Sequence, residues 1–380
     1  AAALVPSVLA HTWVEQLRNI DDNGDYVGEY GYPRGFMAKT DPGYNGDSDN
    51  YLNPPLEQQP PFINSTNLLC HPSQRTRNQT KWPRLQTSPG TFIAMRYMEN
   101  GHITLPDQQV GKPEKAGTIY VFGTQNPKDN ERIADVLQWT EDGNGGNKNG
   151  ILVGKANYDD GRCYEINEHS ISTSRQAKFP NYAVGQAPAA GAATAHAPGG
   201  GYPFFCETNV AIPKDAKTGQ PYTLYWVWQW PSKAGSPNYP KGKDEYYSTC
   251  IDVDVADTFK ADLGRLEFPL GQQDANSKAV SDYKSRTALA TDPIKGELGP
   301  LFSGGKSNNG PTATGVVPIP SGSAPQPSPT SLQSSAGAPT GSVEIPQMTQ
   351  RPGAPSPPAH QPNQPGIVTL TVTQRVTVTA

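Results

Sequence analysis

Short runs in which apolar and polar residues alternate, broken by Gly, Pro and Asn, recur from residue 11 to about residue 260. Period-two alternation sends successive side chains to opposite faces and predicts strands. Residues 91–97 form one such run, residues 117–123 another, and residues 247–255 a late one. The strongest run, residues 222–230, puts Leu224, Trp226, Trp228 and Trp230 on one face. Such aromatic alternation predicts core packing, because a sugar-stacking platform would need the same rings exposed. Helical periodicity is weak, with 130–137 and 278–288 as the candidate windows. Many short strands joined by long loops predict an all-β fold, an immunoglobulin-like or fibronectin-like β-sandwich.

The strand-rich segment predicts one domain over 11–260, with 261–302 as its C-terminal extension. From 303 to 366 the chain turns to Ser, Pro, Gly, Thr and Gln with hardly a charge. That composition cannot bury a core, so this linker is expected to be disordered and O-glycosylated. Residues 367–380 alternate Val or Leu with Thr, a strand pattern or a second glycosylated tract. Residues 1–10 read as the apolar remnant of a secretory signal, closing on Val8-Leu9-Ala10. No stretch is long and apolar enough to span a membrane, and a secreted protein, extracellular or in a cell wall, is expected.

Composition sharpens this picture. Cys70, Cys163, Cys206 and Cys250 are an even set in an oxidising context, which predicts two disulfides in one of three pairings. They lack the Cys-x-x-Cys spacing of a zinc site. Asn64-Ser65-Thr66 and Asn78-Gln79-Thr80 are N-glycosylation sequons in polar surroundings. A net charge of −4, a pI near 5.9 and no basic patch argue against a nucleic-acid partner and favour a neutral or weakly charged substrate.

Cleavage after Ala10 makes His11 the first residue of the mature chain. A terminal histidine chelates a metal ion through its free amine and its ring Nδ1, and a third nitrogen from another His completes a T-shaped site that suits copper. Among the 6 histidines, His102 is the best partner. It follows a strand-like run, and Gly101 beside it leaves the ring room to point at a site. His169, in the polar run Asn167-Glu168-His169-Ser170, ranks second. His71 is restricted by Cys70, and His196 lies in a Gly- and Ala-rich loop over 184–203 as a solvated residue. Asp21-Asp22-Asn23-Gly24-Asp25 looks like part of a calcium loop but lacks its closing Glu.

The last element is Glu245-Tyr246-Tyr247-Ser248-Thr249-Cys250, after the aromatic run. With it the chain resembles the fungal lytic polysaccharide monooxygenases, in the pieces His11, Cys70, His102, Tyr247 and Cys250. The resemblance is spread over residues 11 to about 255 and is weak overall. The opening His11-Thr12-Trp13 and the stretch Gly28 to Gly35 look like an uncharacterised group of secreted fungal proteins. The resemblance implies copper held by His11 and His102, with Tyr247 as axial neighbour. Glu245 then positions or protonates the oxygen species, although a solvated strand end beside a core tyrosine is the competing reading of this pair. It also implies the pairings Cys70–Cys250 and Cys163–Cys206. The function implied is oxidative cleavage of a polysaccharide (chitin, cellulose or a cell-wall glucan) by a monomeric enzyme fed by an external electron donor. The alternatives are a copper-binding protein of the same fold without oxygenase activity and a cell-wall glycoprotein.

Overall fold

The structure, a computed structural model, describes residues 12–39, 41–79, 81–180, 204–261 and 276–286. His11, the loop 184–203 with His196, and the linker and tail over 303–380 lie outside the described residues. The architecture is a β-sandwich. One sheet holds β1 (Gln16–Ile20), β2 (Tyr26–Gly31), β5 (Phe92–Tyr97) and β8 (Cys206–Ala211) in the antiparallel order β2-β1-β5-β8. The other holds β3 (Leu52–Asn53), β4 (Leu85–Thr87), β6 (Thr118–Thr124), β7 (Ile151–Asn157), β9 (Gln220–Gln229) and β10 (Tyr246–Val255). Its order is β3-β10-β9-β6-β7, and β4 runs parallel to the far end of β10.

The four strands expected from alternation are all present, as β5, β6, β9 and β10. Leu17, Ile93, Met95 and Val210 of the first sheet meet Val121, Leu224, Trp226 and Ile251 of the second in one core. The tryptophans of β9 are therefore core residues, with Trp226 and Trp228 fully buried. The opposite face of β9 is buried as well. Tyr225 and Val227 pack with Phe122 and Tyr246 under Ile63, Leu69, Trp139 and the short helix α1 (Ile133–Val136). A strand covered on both faces reads as a continuous apolar run, as Tyr222 to Trp228 does.

Two covalent links fasten the loops to this frame. Cys70 bonds to Cys250 of β10, and Cys163 bonds to Cys206 of β8. Beside the first link, Arg34 is buried and holds Asp252 through Nε at 2.9 Å and a terminal nitrogen at 2.6 Å. A buried charge pair of this two-pronged kind satisfies both partners.

Two local expectations change. Residues 278–286 are not helical; Lys278 bridges Asp25, and the Ala279 N–H donates to the Gly24 carbonyl at 2.8 Å. Val280 and Tyr283 then pack on Ile20, Tyr26 and Ala94, so tertiary contact overrides the weak helical pattern. The helix α2 (Ser170–Lys178) had no amphipathic signal, and Ser172 is its one buried residue. No helix of the described residues is long and apolar enough to cross a membrane.

Candidate metal centre

The chain leaves β5 at Tyr97 and turns sharply, with Asn100 at φ 47° and Gly101 at φ 78°. At Gly101 a side chain would be strained by φ and would also crowd Leu105 and the Glu165 carboxyl. The turn is pinned by Glu99, which is buried. Its Oε2 accepts the Ile103 N–H at 2.7 Å, and its Oε1 accepts the Thr104 hydroxyl and, at 2.9 Å, the Glu165 N–H. Burial raises the Glu99 carboxyl above its ordinary range despite these donors.

His102 sits on this turn, buried at 4% exposure. Its backbone N–H donates to the Glu99 carbonyl at 2.9 Å, and its ring Nδ1 bonds to the same oxygen. A carbonyl only accepts, so Nδ1 carries a proton, and in the neutral form of the ring Nε2 is the basic nitrogen. That is the tautomer a metal-binding imidazole needs, fixed by a backbone oxygen.

Trp228 is the hub of the surroundings. The His102 ring meets it edge-on at 5.0 Å and meets Trp230 at 4.6 Å. Tyr158 stacks on Trp228 at 4.2 Å, and Tyr247 stacks on it at 5.0 Å. Thr12, covalently joined to His11, reaches the same cluster; its Oγ1 lies 3.0 Å from the Tyr158 hydroxyl and 3.0 Å from the Met98 carbonyl. The structure thus brings His102, Tyr247 and the residue after His11 to one aromatic cluster, while His11 itself lies outside the described residues.

Glu245 and Tyr247 face each other, with the phenol donating to Glu245 Oε1 at 2.8 Å. The other oxygen is clamped by Lys112 at 2.7 Å and Lys243 at 3.1 Å. Burial works to raise the Glu245 carboxyl, but the two ammonium groups outweigh it and hold it below the ordinary range. At neutral pH Glu245 is an anion that accepts; it has no proton to give. Burial, then the Glu245 charge, push the Tyr247 phenol well up, so it remains a neutral hydroxyl. Lys112 also lies 3.9 Å over the Trp230 ring, tying the clamp to the ring that touches His102.

Among the described residues the other histidines, His169 and His71, have structural employment. His169 caps α2, its Nδ1 accepting the Ile171 N–H at 3.3 Å. His71 caps a short 3₁₀ turn through Ser73, and burial lowers its pKa. Asp21 accepts the backbone N–H groups of Asn23 and Asp25 in a tight turn. Asp159, Asp160 and Cys163 cluster at metal-like spacing, yet Cys163 is in a disulfide, Asp159 pairs with Arg175 at 2.8 Å, and Asp160 accepts the Cys163 N–H at 2.7 Å. The donor types in the His102 cluster fit copper, which the sequence resemblance implies: a buried imidazole whose Nδ1 is tied to a carbonyl, and a phenol stacked on the same Trp228 ring.

Sequence reasoning missed Glu99, Lys112 and Lys243. Glu99 had a local signal, an acid three residues before His102 across an Asn-Gly turn. Lys243 had one too, two positions before Glu245; Lys112 had none, since it reaches Glu245 from 133 positions away.

Residues 8–281 match a family described as Domain of unknown function (DUF7492). No curated protein sequence matches the chain. Similar solved structures include CvAA9A, at 14% identity over 74% of this chain and 92% of that one, with a TM-score of 0.30. Another is Cel61B of Hypocrea jecorina, a glycoside hydrolase family 61 member, at 12% over 69% and 88%, with a TM-score of 0.28. A third is a cellulose-active polysaccharide monooxygenase from M. thermophila, at 13% over 67% and 81%, with a TM-score of 0.25.

Proposed function

This chain belongs to the DUF7492 family, and we propose that it is a secreted copper protein of the histidine-brace type that oxidises a polysaccharide. The observation that carries this reading is the His102 ring, buried and tied through Nδ1 to the Glu99 carbonyl, which leaves Nε2 as the nitrogen for a metal when the ring is neutral. Thr12, anchored on Tyr158, is the support for His11 as the second ligand. Bound copper would supply the oxygen chemistry that removes a strong C–H hydrogen from a glycan. The chain's own part is to fix His102, to hold the Tyr247 hydroxyl toward Glu245, and to exclude water with Trp228 and Trp230. Exposed Asn64 and Asn78 suit glycosylation, and the two disulfides suit an extracellular or cell-wall protein. The electron donor is external and the protein a monomer in this reading.

A second reading has its own observation. Glu245 is 6% exposed and ion-paired twice, so no proton donor is offered by that carboxylate. A protein that only binds copper needs none. One experiment separates the two. The secreted chain is sequenced from its N-terminus, titrated with Cu(II), and incubated with reductant, O₂ or H₂O₂, and a panel of glycans. A chain that starts at His11, binds one copper and releases oxidised sugars meets the first reading. One copper with no oxidised product on any glycan leaves the binding protein. A different first residue, or full copper binding by His102→Ala, overturns both.

A further inference from the structure

The loop that leads into β3 buries a carboxyl without a counter-charge. Asp49 is 2% exposed. Its Oδ1 accepts the Met37 N–H at 2.9 Å, while its Oδ2 is buried with no hydrogen-bond partner. The titratable groups that act on it are Glu15, from the approach to β1, and Lys39, Asp41 and Tyr44, from its own loop. The lysines of this neighbourhood are committed elsewhere: Lys39 pairs with Glu15 at 2.8 Å, and Lys81 pairs with Asp41 at 2.6 Å. Asp49 forms no ion pair among the described residues. An unpaired carboxylate is costly to bury, and a proton removes most of that cost. Burial raises the Asp49 carboxyl from an ordinary 3.8 to about 8, against the opposing effect of the Met37 N–H.

The bond from Met37 to Asp49 closes a loop that touches the start of the domain. Next to Met37, the Ala38 N–H donates to Asp41 Oδ2 at 3.0 Å, and the Asp41 N–H returns to the Ala38 carbonyl at 2.7 Å. Lys39 lies within this turn. Its Nζ reaches Glu15 at 2.8 Å, Met98 Sδ at 3.4 Å and the Trp13 ring at 5.6 Å. The carbonyl of the same Met98 accepts the Thr12 hydroxyl at 3.0 Å. Asp49 thus fastens the stretch that sets Lys39 against residues 12–15.

We infer that Asp49 is a proton-operated latch: protonated, it closes the stretch 41–49 on Met37; ionised, it lets that stretch go, and Lys39 leaves Glu15 and the Trp13 ring. The proton goes to solvent, and the carboxylate gains the water that burial denies it. The closed form holds the proton more tightly than the open form, whose carboxyl returns to its ordinary 3.8. The contribution of the latch is therefore complete below pH 3.8 and is lost as the pH rises through 8. Within that window each pH unit favours the open form about tenfold. The latch rests neither on copper nor on oxidation.

The full secreted protein, free of copper, is followed by NMR in wild type, D49N and D49A. The Asp49 carboxyl carbon is titrated, and the protection of the Met37 amide against hydrogen exchange is measured between about pH 5 and pH 8 relative to the intrinsic rate. In wild type the carboxyl should titrate at least about two pH units above its ordinary value. Met37 protection should fall roughly tenfold per pH unit, and the Trp13 indole signal should move over the same range. D49N keeps an oxygen for the Met37 N–H and has no proton to lose, so its protection and its Trp13 signal should not change with pH. D49A should lose the protection at every pH. The thermal midpoint of each variant shows that it is folded. Titration of Asp49 near its ordinary value overturns the latch, as does the wild-type pH course in D49N or protection retained by D49A. Restoration of Met37 protection at pH 8 by calcium chloride would put a metal ion, and not a proton, on Oδ2 and would overturn it too.

Discussion

Two glutamates lie buried around the same aromatic cluster and are treated in opposite ways. Glu99 is surrounded by dipoles: the N–H groups of Ile103 and Glu165 and the hydroxyl of Thr104. Glu245 is met by charges, the ammonium groups of Lys112 and Lys243. Burial raises Glu99 and the dipoles do not fully compensate, whereas two full charges reverse the effect of burial at Glu245. Two of these dipoles are backbone N–H groups and the third is the hydroxyl of the turn's own Thr104, so Glu99 fixes the shape of the turn under His102. One ammonium group comes from Lys243, two residues before Glu245, and the other from Lys112 on a distant loop, so the Glu245 clamp fixes a charge and ties that loop to the start of β10. One carboxylate organises geometry and the other organises electrostatics.

Removing a charge should break this contrast most strongly. Lys112→Met keeps the length of the stem but deletes the closest cation to Glu245. Breaking a buried pair from one side destabilises by about 3–5 kcal/mol; Lys243 stays as a second cation, so the lower end is expected. The Glu245 carboxyl should rise toward the behaviour of Glu99. Urea unfolding at pH 5 and pH 8 checks both effects: the variant should lose less at pH 5, where a neutral Glu245 tolerates burial. A loss independent of pH would mean that Lys112 acts by packing on Trp230 alone.

Glu99→Ala comes next. It leaves the Ile103 and Glu165 N–H groups without their acceptor, each an expense of about 1–3 kcal/mol. Glu99→Gln keeps one carbonyl oxygen and should lose about half as much. The readout that a general packing defect would not move is the His102 ring. Its ¹⁵N shifts should report one tautomer in wild type and a mixture in Glu99→Gln, because the turn that offers the Glu99 carbonyl is loosened. An unchanged single tautomer would show that the backbone oxygen is held without the carboxylate.

The same contrast explains what could be read from sequence. Strands β5, β6, β9 and β10 were legible because period-two alternation is local. β1, β2, β7 and β8 were not singled out; β7 carries Gly154 and Lys155 and is mostly half-buried, which blurs its pattern. His102 was legible as a residue type beside a Gly turn, and Tyr247 by its spacing from Cys250. The support of each was hidden. Glu99 showed only as an acid beside an Asn-Gly turn, and its bond to the Glu165 N–H joins residues 66 positions apart. Lys112 and Glu245 are separated by 133 positions, and no periodicity links a loop lysine to a strand-end acid.

Glu165 offers a smaller and reversible perturbation of the dipole side. Burial, then the charge of Glu99, raises its carboxyl from an ordinary 4.5 to about 7. A raised acid holds its proton more tightly folded than unfolded. Its contribution to stability is complete below pH 4.5 and is lost as the pH rises through 7. Glu165→Gln removes that dependence. The difference between wild-type and variant melting temperatures should therefore shift in favour of the variant between pH 4.5 and pH 8. A constant difference over that range would place Glu165 in water and out of reach of Glu99.

The smallest effect should come from the neutral member of the charged side. Tyr247→Phe deletes one hydroxyl that donates to Glu245 Oε1 at 2.8 Å and leaves the ring stacked on Trp228. Losing a hydrogen bond to a charged group removes about 1.5 kcal/mol, and both lysines still hold the other carboxylate oxygen. The fold, the His102 tautomer and the copper stoichiometry should all survive. A small change in the Cu(II) spectrum would place the phenol next to the bound ion. The comparison with Lys112→Met then ranks the two supports of Glu245. If Tyr247→Phe destabilises as much as Lys112→Met, the phenol and not the ammonium is the main partner of that carboxylate, and the contrast between dipole-held and charge-held glutamates fails at its charged end.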